Sequence, residues 1–499
     1  MHSEFLNIEE EMRQLLLAMG AGRHISPSAY DTAWVARLRD IDRKLSDPAL
    51  DWLCANQLPD GSWGAAEPRN FQDRLVCTLS AIIALTRRGR RGSDRRQIAQ
   101  GQAALEHLTS QATRELSLNL PYATVGFELI VPTLVAEAER LGIIHYQNER
   151  MLGRLGKARA KKLASLPKGM VNRFVTVAFS AEMAGEDETH LLDAPNLQEA
   201  NGSVAYSPAA TAYFASTVRP GDAGALGYLR SAADASGAYP YVTPVDVFET
   251  AWPLWNLALH RELDPGMLAL CQPHLDFLAK NWQPGHGMAS VAGLSLVDGD
   301  ATSMTFEVLA RFGRAPDVAG VLNFEVEQWF RCYALESDAS LSTNVHVLGA
   351  LRAAGFEPQH PAVQKVVNFL RQMQVGHAFW SDKWHVSPYY VTAHAIIAGA
   401  GYTQDLVDTA VDWILHTQNA DGSWGYLLPT AEETAYCLQA LAVWRSLEGA
   451  VPAQALKRGT AWLADHAESP YPPLWIGKSL YYLEYVVRSA ILSALRLTA

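Results

Sequence analysis

Two aspartates separated by a single glycine are the residues in this sequence whose spacing most directly suggests chemistry. Asp298 and Asp300 lie in SLVDGDATSM (295–304), at the end of an apolar stretch and ahead of a helix-like run. Carboxyl groups packed this closely cannot both ionise at low cost, because each charge raises the pKa of the other. The pair therefore predicts that one carboxyl group keeps its proton and acts as a donor.

The same two residues also suit a structural role. Asp300 precedes the helix-like stretch ATSMTFEVLARF (301–312), where one acid can cap the amino end of the helix and a second can interact favourably with the helix dipole. The spacing alone leaves the proton donor and the helix cap open as alternatives.

The length and charge place these aspartates in a large globular protein. At 499 residues the chain exceeds what one hydrophobic core normally supports, so two domains are expected. A net charge of −11 argues against a nucleic-acid-binding protein. We interpret the basic stretch RRGRRGSDRR (87–96) as a solvated loop rather than a binding patch.

Cysteine use and the amino-terminal stretch indicate the cellular compartment. The cysteines contain no CxxC pair and are odd in number, which favours a reducing compartment and argues against structural zinc. The stretch MHSEFLNIEEEMRQLL (1–16) is acidic and amphipathic, unlike a signal peptide, and no segment offers about 20 uninterrupted apolar residues. We therefore expect a cytoplasmic protein with no integral membrane segment.

Internal repetition is the main guide to the elements that position the aspartates. QLPDGSWG (57–64) and QNADGSWG (418–425) share Gln and Asp-Gly-Ser-Trp-Gly at the same offset, and QEANGSV (198–204) and QVGHAFW (374–380) are weaker copies. Asp-Gly and Asn-Gly form turns, so each copy predicts a turn whose aromatic residue folds back onto the preceding helix.

The segments between these turns predict helices. Apolar runs of helical length, with almost no alternation of period two, indicate an all-α protein built from helical hairpins. The hairpins must bury apolar faces on both sides, and a double ring of inner and outer helices is an arrangement that does so. The repeats lie near both ends of the sequence, which predicts two such rings, with a break in 240–285 and a shared cleft that would hold a ligand.

Several stretches resemble motifs of the class II diterpene cyclase family. The Gln-to-Trp turns resemble the QW motifs of triterpene and diterpene cyclases, and SAYDTAWVARL (28–38) resembles an amino-terminal hallmark of class II diterpene cyclases. NGSVAYSPAATAY (201–213) and PPLWIGKSLYYLEYVVRSAIL (472–492) resemble two further family segments. The resemblance covers nearly the whole chain.

The resemblance implies a specific architecture. It is an all-α fold of two α/α-barrel domains of the terpene cyclase βγ type, with the active site in the cleft between them. Residues 1–17 would form an amino-terminal helix that packs on the second domain, residues 18–255 a γ-type barrel, and residues 256–499 a β-type barrel that carries the Asp298-Gly299-Asp300 motif.

The resemblance also implies the catalytic residues. In the family a DxDD motif supplies the acid that protonates an alkene, so Asp300 inherits the role of donor, with Asp298 beside it. Ala301 stands where the family has its last acid, a position at which some relatives carry Thr. His346 would remove the final proton at the far end of the pocket, and Asn344 would hold Asp300 by a hydrogen bond.

The substrate contacts follow from the same resemblance. The diphosphate survives the reaction in class II enzymes, so the protein must grip it, and magnesium is expected to share that task through carboxylates of AEMAGEDETHLLD (181–193) unless this stretch is only an exposed acidic loop. The implied substrate-binding residues are Lys478, Lys383, Trp380, Trp384, Tyr206 and Tyr481, and the implied magnesium ligands are Glu182, Glu186 and Asp187.

The reaction implied is a bicyclisation started by a proton. Protonating an alkene needs a neutral, desolvated acid, and the resulting cation is stabilised by aromatic faces. The sequence has no adjacent aspartates, so the DDxxD motif of ionising terpene synthases is absent. The expected substrate is geranylgeranyl diphosphate and the product a halimadienyl- or copalyl-type diphosphate. The alternative is conversion of farnesyl diphosphate to drimenyl diphosphate, and a homodimer is an open possibility.

Other classes of protein share helical double rings. An inverting glycosidase needs two widely separated carboxylates, which Asp298 and Asp300 do not provide. A protein prenyltransferase β-subunit needs an Asp/Cys/His zinc site, for which no cysteine here has a matching context. A repeat scaffold that only binds partners predicts no turnover and indifference to Asp300.

Overall fold

A computed structural model gives the architecture of the chain. It describes residues 7–20, 24–115, 123–144, 148–164, 166–260, 262–334, 336, 338–447 and 449–499. Residues 1–6 of the predicted amino-terminal helix lie outside this part, and the helix begins at Ile8. Within the same part, no helix is both long and apolar enough to cross a membrane.

The described chain is built almost entirely from helices. In chain order the α-helices are α1 Ile8–Ala18, α2 Ala29–Ala36, α3 Arg43–Ala55, α4 Phe71–Arg88, α5 Gly92–Glu115, α6 Phe127–Arg140, α7 Asn148–Ala164, α8 Pro208–Tyr213, α9 Ala223–Ala232, α10 Phe248–Ala258, α11 Pro265–Asn281, α12 Gly299–Arg311, α13 Ala319–Leu322, α14 Leu341–Ala353, α15 Pro361–Met373, α16 Pro388–Gly399, α17 Gln404–His416, α18 Ala431–Ser446, α19 Ala453–Asp465 and α20 Glu484–Thr498. Short 3-10 helices cover Arg37–Asp40, Thr176–Ala184, Thr189–Leu191 and Ala194–Asn196, and a π-helical turn covers Phe214–Val218. The strands β1 Trp475–Ile476 and β2 Leu480–Tyr481 form an antiparallel hairpin.

The carboxy-terminal half forms a closed double ring. Helices α10, α12, α14, α16, α18 and α20 pack side by side in a circle, and α1, α11, α15, α17 and α19 lie outside them. The sequence explains these positions, because α16 (PYYVTAHAIIAG) is apolar all round and is buried along its whole length. In contrast, α15 (PAVQKVVNFLRQM) buries one apolar stripe and exposes its polar face, as an outer helix must.

The amino-terminal half forms a second, smaller ring. Helices α2, α4, α6 and α8 and the 3-10 helix Thr176–Ala184 pack in a circle, with α3, α5, α7 and α9 outside them. Two double rings of helices were predicted from the repeats and the family resemblance, and this fold class is confirmed.

Each ring has its own apolar core. The core of the smaller ring runs from Ala29 to Tyr239, and that of the larger ring contains residues of α1 and residues from Tyr241 to Leu495. The predicted limit between residues 255 and 256 falls inside α10, whose residues pack in the larger ring, so the change of core lies nearer residue 240. As domain limits, the sequence-based boundaries stay a prediction.

The repeated turns lock neighbouring helices together in one geometry. The indole nitrogens of Trp63, Trp380 and Trp424 each donate to the carbonyl oxygen ten residues earlier, at 2.7–2.8 Å. The backbone N–H of each tryptophan donates to a threonine hydroxyl of the following helix. Trp380 is thereby buried in a structural turn with its indole nitrogen engaged, and its role in binding the substrate stays a prediction.

Replacing Trp424 by Phe tests the role of these turns. The change removes the hydrogen bond to the Ile414 carbonyl and leaves a gap in a fully buried site, so we expect a loss of about 1–3 kcal/mol in the free energy of unfolding. Urea unfolding measures this loss. As a control, Trp462→Phe changes a half-buried ring that stacks on His466 and bonds the exposed Asp421, and it is expected to alter stability by less than about 1 kcal/mol.

Candidate active site

Asp298 caps helix α12 from the inside of the protein. Its Oδ1 accepts the Ala301 N–H at 2.6 Å and its Oδ2 accepts the Ser290 N–H at 3.0 Å. Burial, more than the neighbouring charge of Asp300, raises the pKa of Asp298 to about 7. Asp298, rather than Asp300, is therefore the residue that caps the helix. Both oxygens of Asp298 are engaged in hydrogen bonds.

Asp300 is the carboxyl group with a free oxygen. It lies in the first turn of α12, and its Oδ1 is 2.7 Å from Nδ1 of His346 on α14. Its other oxygen has no hydrogen-bond partner among the described residues, and 15% of the side chain is exposed. Of the two aspartates, only Asp300 can present a proton without giving up a hydrogen bond that caps a helix.

Two residues predicted to serve the reaction do not lie where they were expected. His346 contacts Asp300 rather than the far end of the pocket, so its predicted position is wrong, and its role as the base that ends the reaction stays a prediction. Asn344 does not bond Asp300, because its amide exchanges hydrogen bonds with the backbone of Phe330 and donates to the Ser340 carbonyl. Residues two apart on a helix point to opposite sides, so 344 and 346 cannot both face Asp300.

Aromatic side chains from the inner helices surround the Asp300–His346 pair. Trp252 of α10 and Tyr390 of α16 present their rings to His346 at centroid distances of 5.5 and 6.2 Å. Trp252 Nε1 donates to the Tyr390 hydroxyl at 3.0 Å, and Trp475 packs on Tyr390 at 4.9 Å. These aromatic faces next to an acid suit a reaction with a cationic intermediate.

The sequence reasoning missed a second histidine at this site. His394 of α16 places its Nδ1 2.9 Å from Nε2 of His346, on the side away from Asp300. The available signal was its position four residues after Tyr390 on an apolar helix, which puts both side chains on one face. A lone histidine in such a helix does not by itself indicate function, so only the structure brings it to the site.

Lys478 marks a second polar centre, where the two rings meet. It occupies the turn between β1 and β2 and is fully buried. Its ammonium group is 2.6 Å from Glu182 Oε1 and donates to Ser207 Oγ at 2.8 Å, and the Tyr30 hydroxyl also donates to Glu182. Lys478 is thus held by groups of the smaller ring, as a buried cation requires.

The three carboxylates predicted to hold magnesium do not converge. Glu186 and Asp187 are 62% and 79% exposed and face Arg87 and Arg140, at 3.6 and 3.3 Å. Among the described residues, no group of three or more His, Cys, Asp or Glu side chains is arranged to hold a metal ion. Only Glu182 fits such a role, since its Oε2 is buried without a partner.

An aromatic stack connects Lys478 with the region of Asp300. Tyr481 stacks on Tyr241 at 5.1 Å, Tyr241 packs edge-on against Phe179 at 4.8 Å, and the Lys478 ammonium lies 4.8 Å from the Phe179 ring centre. Burial raises the pKa of Tyr333 well above its ordinary value, and the nearby Asp298, Tyr241 and Asp300 act in the same direction. Tyr241 thus neighbours both Phe179, which the Lys478 ammonium contacts, and Tyr333, which is close to Asp300.

The remaining predicted contacts lie beside this path. Lys383 pairs with Glu336 and donates to the Asp338 carbonyl, so its ammonium group is already engaged. Trp384 lies edge-on to Tyr333 at 6.4 Å, and its role in binding stays a prediction. Tyr206 donates its hydroxyl to the Ala292 carbonyl at 3.1 Å, which makes it a contact between the rings rather than a free aromatic face.

Comparison with known proteins agrees with the family resemblance of the sequence motifs. The family description "Squalene-hopene cyclase C-terminal domain" matches residues 333–472. The Type B diterpene cyclase of Mycobacterium tuberculosis is 48% identical, over 98% of this chain and 99% of the relative. An ent-copalyl diphosphate synthase of a Streptomyces strain is 30% identical, over 95% of this chain and 92% of the relative.

A solved structure extends the likeness to the three-dimensional fold. The ent-copalyl diphosphate synthase from Streptomyces platensis aligns with a TM-score of 0.79 and 30% identity, over 98% of this chain and 99% of that chain. The alignment includes both rings, together with the segment that carries Asp298 and Asp300.

Proposed function

The chain belongs to the class II diterpene cyclase family, and from this we propose that it converts geranylgeranyl diphosphate into a bicyclic halimadienyl- or copalyl-type diphosphate. The observation that carries the proposal is the 2.7 Å contact between Asp300 and His346 among aromatic rings, with one Asp300 oxygen free. A carboxyl group held in this way is an oriented acid in surroundings that suit an alkene.

The reaction begins with the transfer of one proton. Asp300 gives the proton on its free oxygen to the terminal alkene carbon of the substrate and becomes a carboxylate, while His346 keeps its hydrogen bond to Oδ1. The new cation is attacked by the neighbouring alkenes in turn, which forms two carbon–carbon bonds. Loss of a proton from carbon then restores a double bond, so the product is an isomer of the substrate.

The aromatic residues serve the cationic stage. The faces of Trp252, Tyr390 and Trp475 can stabilise positive charge. Asp298 stays in its capping role, with both of its oxygens engaged by backbone N–H groups.

The diphosphate is retained and bound at the other polar centre. Lys478 supplies a positive charge there, and binding of the diphosphate would draw it from Glu182 towards phosphate oxygens. Magnesium, if bound, would neutralise part of the phosphate charge, and Glu182 is the residue that would hold it. Glu186 and Asp187 have no part in this proposal.

A product assay tests the proposed function. The purified protein is incubated separately with geranylgeranyl and farnesyl diphosphate, with and without Mg²⁺, and the products are dephosphorylated and analysed by mass spectrometry. A bicyclic C20 alcohol is expected. A bicyclic C15 alcohol alone would favour the drimenyl alternative, and no cyclised product from either substrate would contradict the proposal.

Ala301 gives a prediction within the same assay. Ala301→Asp restores, beside Asp298 and Asp300, the carboxyl group that the family motif carries at this position, so turnover is expected to rise several-fold. Ala301→Thr is expected to give a smaller rise, because a hydroxyl group adds no charge. Unchanged turnover in both variants would show that position 301 is neutral.

The remaining expectations concern the state of the protein in the cell. We propose a cytoplasmic enzyme, since the cysteines are unpaired in the described structure. A homodimer is a further proposal, and multi-angle light scattering of the purified protein would report the mass directly.

A further inference from the structure

His394 lies directly behind the histidine that contacts the catalytic acid. The contacts run from Asp300 Oδ1 to His346 Nδ1 at 2.7 Å, and from His346 Nε2 to His394 Nδ1 at 2.9 Å. The three side chains come from adjacent inner helices, α12, α14 and α16. His394 is 2% exposed, and its Nε2 has no hydrogen-bond partner within the part of the chain that the structure describes.

The ring of His394 is fixed by its neighbours. Trp255 stacks on it at 4.4 Å with an interplanar angle of 25°, and Tyr390 and Tyr436 pack against it at 4.5 and 5.6 Å. Burial lowers the pKa of His394 well below its ordinary value, and the nearby His346 and His385 lower it further. His394 is therefore a neutral imidazole with a single N–H, held in one orientation.

Resting on the proposed function, we propose that His394 is a positioning residue, which donates its Nδ1–H to His346 Nε2 and so fixes His346 as the tautomer that donates to Asp300. In this arrangement His346 Nδ1–H points at Asp300 Oδ1. The acidic proton of Asp300 must then reside on the other oxygen, which is the one free to face the substrate.

The opposite tautomer fails on two counts. If His346 Nε2–H donated to His394, the bare Nδ1 of a neutral His346 would draw the proton of Asp300 to itself and away from the alkene. His394 would then carry its own proton on Nε2, where the described structure offers no acceptor. A buried nitrogen lone pair without a partner is less costly than a buried N–H without one.

Three variants of one residue test the proposal. Asn places an amide near the position of Nδ1 and can donate to His346, whereas Gln places the same amide one carbon farther and Leu has no donor. With geranylgeranyl diphosphate, His394→Leu and His394→Gln are expected to lower kcat at least thirtyfold and to change KM by less than threefold. His394→Asn is expected to retain kcat within fivefold of the parent protein.

The outcomes separate this inference from the proposed function. An inactive parent protein contradicts the cyclase itself. If the parent protein is active, an unchanged kcat in His394→Leu overturns the role of His394. An equal loss of kcat in the Asn and Gln variants, at equal thermal stability, also overturns it. If the Leu variant fails to fold, the ratio of kcat between the Asn and Gln variants decides, and a ratio near one overturns the proposal.

Discussion

Replacing Asp300 by Asn should lower kcat for cyclisation by about a thousandfold or more while leaving the fold intact. Asn matches Asp in size and can still accept a hydrogen bond from His346, but its amide is not an acid. Substrate affinity should change little, because the diphosphate site proposed above lies at Lys478 rather than at Asp300. Single-turnover product formation measures the rate, and equilibrium binding of a non-reactive prenyl diphosphate analogue measures the affinity.

Asp405 provides a matched control for this substitution. It is the second residue of α17, as Asp300 is the second residue of α12, but it lies in the outer ring, 64% exposed and 3.1 Å from Arg371. Asp405→Asn makes the same replacement at the same helix position and should leave kcat unchanged. Retention of more than a tenth of the parent rate in Asp300→Asn would mean that another group supplies the proton.

Replacing Lys478 by Met should damage both stability and substrate binding. The change leaves the carboxylate of Glu182 buried without its cation, which costs about 3–5 kcal/mol in the free energy of unfolding. It also removes the cation proposed to hold the diphosphate, so KM for geranylgeranyl diphosphate should rise about a hundredfold. Urea unfolding and steady-state kinetics measure the two effects separately.

A double variant separates these two losses. Lys478→Met together with Glu182→Gln removes both charges and keeps an oxygen for the Tyr30 hydroxyl, so most of the lost stability should return. The high KM should not return to normal, because no cation is restored. If the double variant recovers the parent KM, Lys478 is only a structural residue. Lys365→Met, which breaks a partly exposed pair with Glu325, should cost less than about 1 kcal/mol.

The fold was predictable because its signals are repeated along the sequence. The turns around Trp63 and Trp424 occur at fixed offsets from apolar runs, and each run is long enough to be a helix. Such a pattern indicates hairpins that must close into rings. The sequence does not separate the two possible roles of Trp380, because an aromatic residue that folds back onto its own helix looks, in sequence, like one that faces a ligand.

The site was predictable only where its residues are close together in the sequence. Asp298 and Asp300 were found by spacing, but the assignment of a free oxygen to Asp300 required the backbone contacts of Asp298. Glu182 and Glu186 are separated by four residues, yet the first is buried against Lys478 and the second is exposed, because a glycine turn at Gly185 lies between them. The spacing of two residues in the sequence does not show which of them is buried when a turn lies between them.

Contacts between distant helices were beyond the sequence altogether. His346 and His394 are 48 residues apart and meet because α14 and α16 are neighbours in the inner ring. Each histidine alone is an ordinary residue of an apolar helix. Only the order of helices around the ring makes them a pair.

The position of α1 has a consequence for how the protein is made. Met12, Leu15 and Leu16 of this helix are buried against α11 and α20, and α1 therefore belongs to the ring that carries Asp300, although the whole smaller ring separates it from that ring in the sequence. On the ribosome, α1 emerges before the helices of both rings, and its apolar face is fully covered only after α20 has been synthesised. The smaller ring can complete itself in the meantime, so of the two rings the one that carries Asp300 is the later to close.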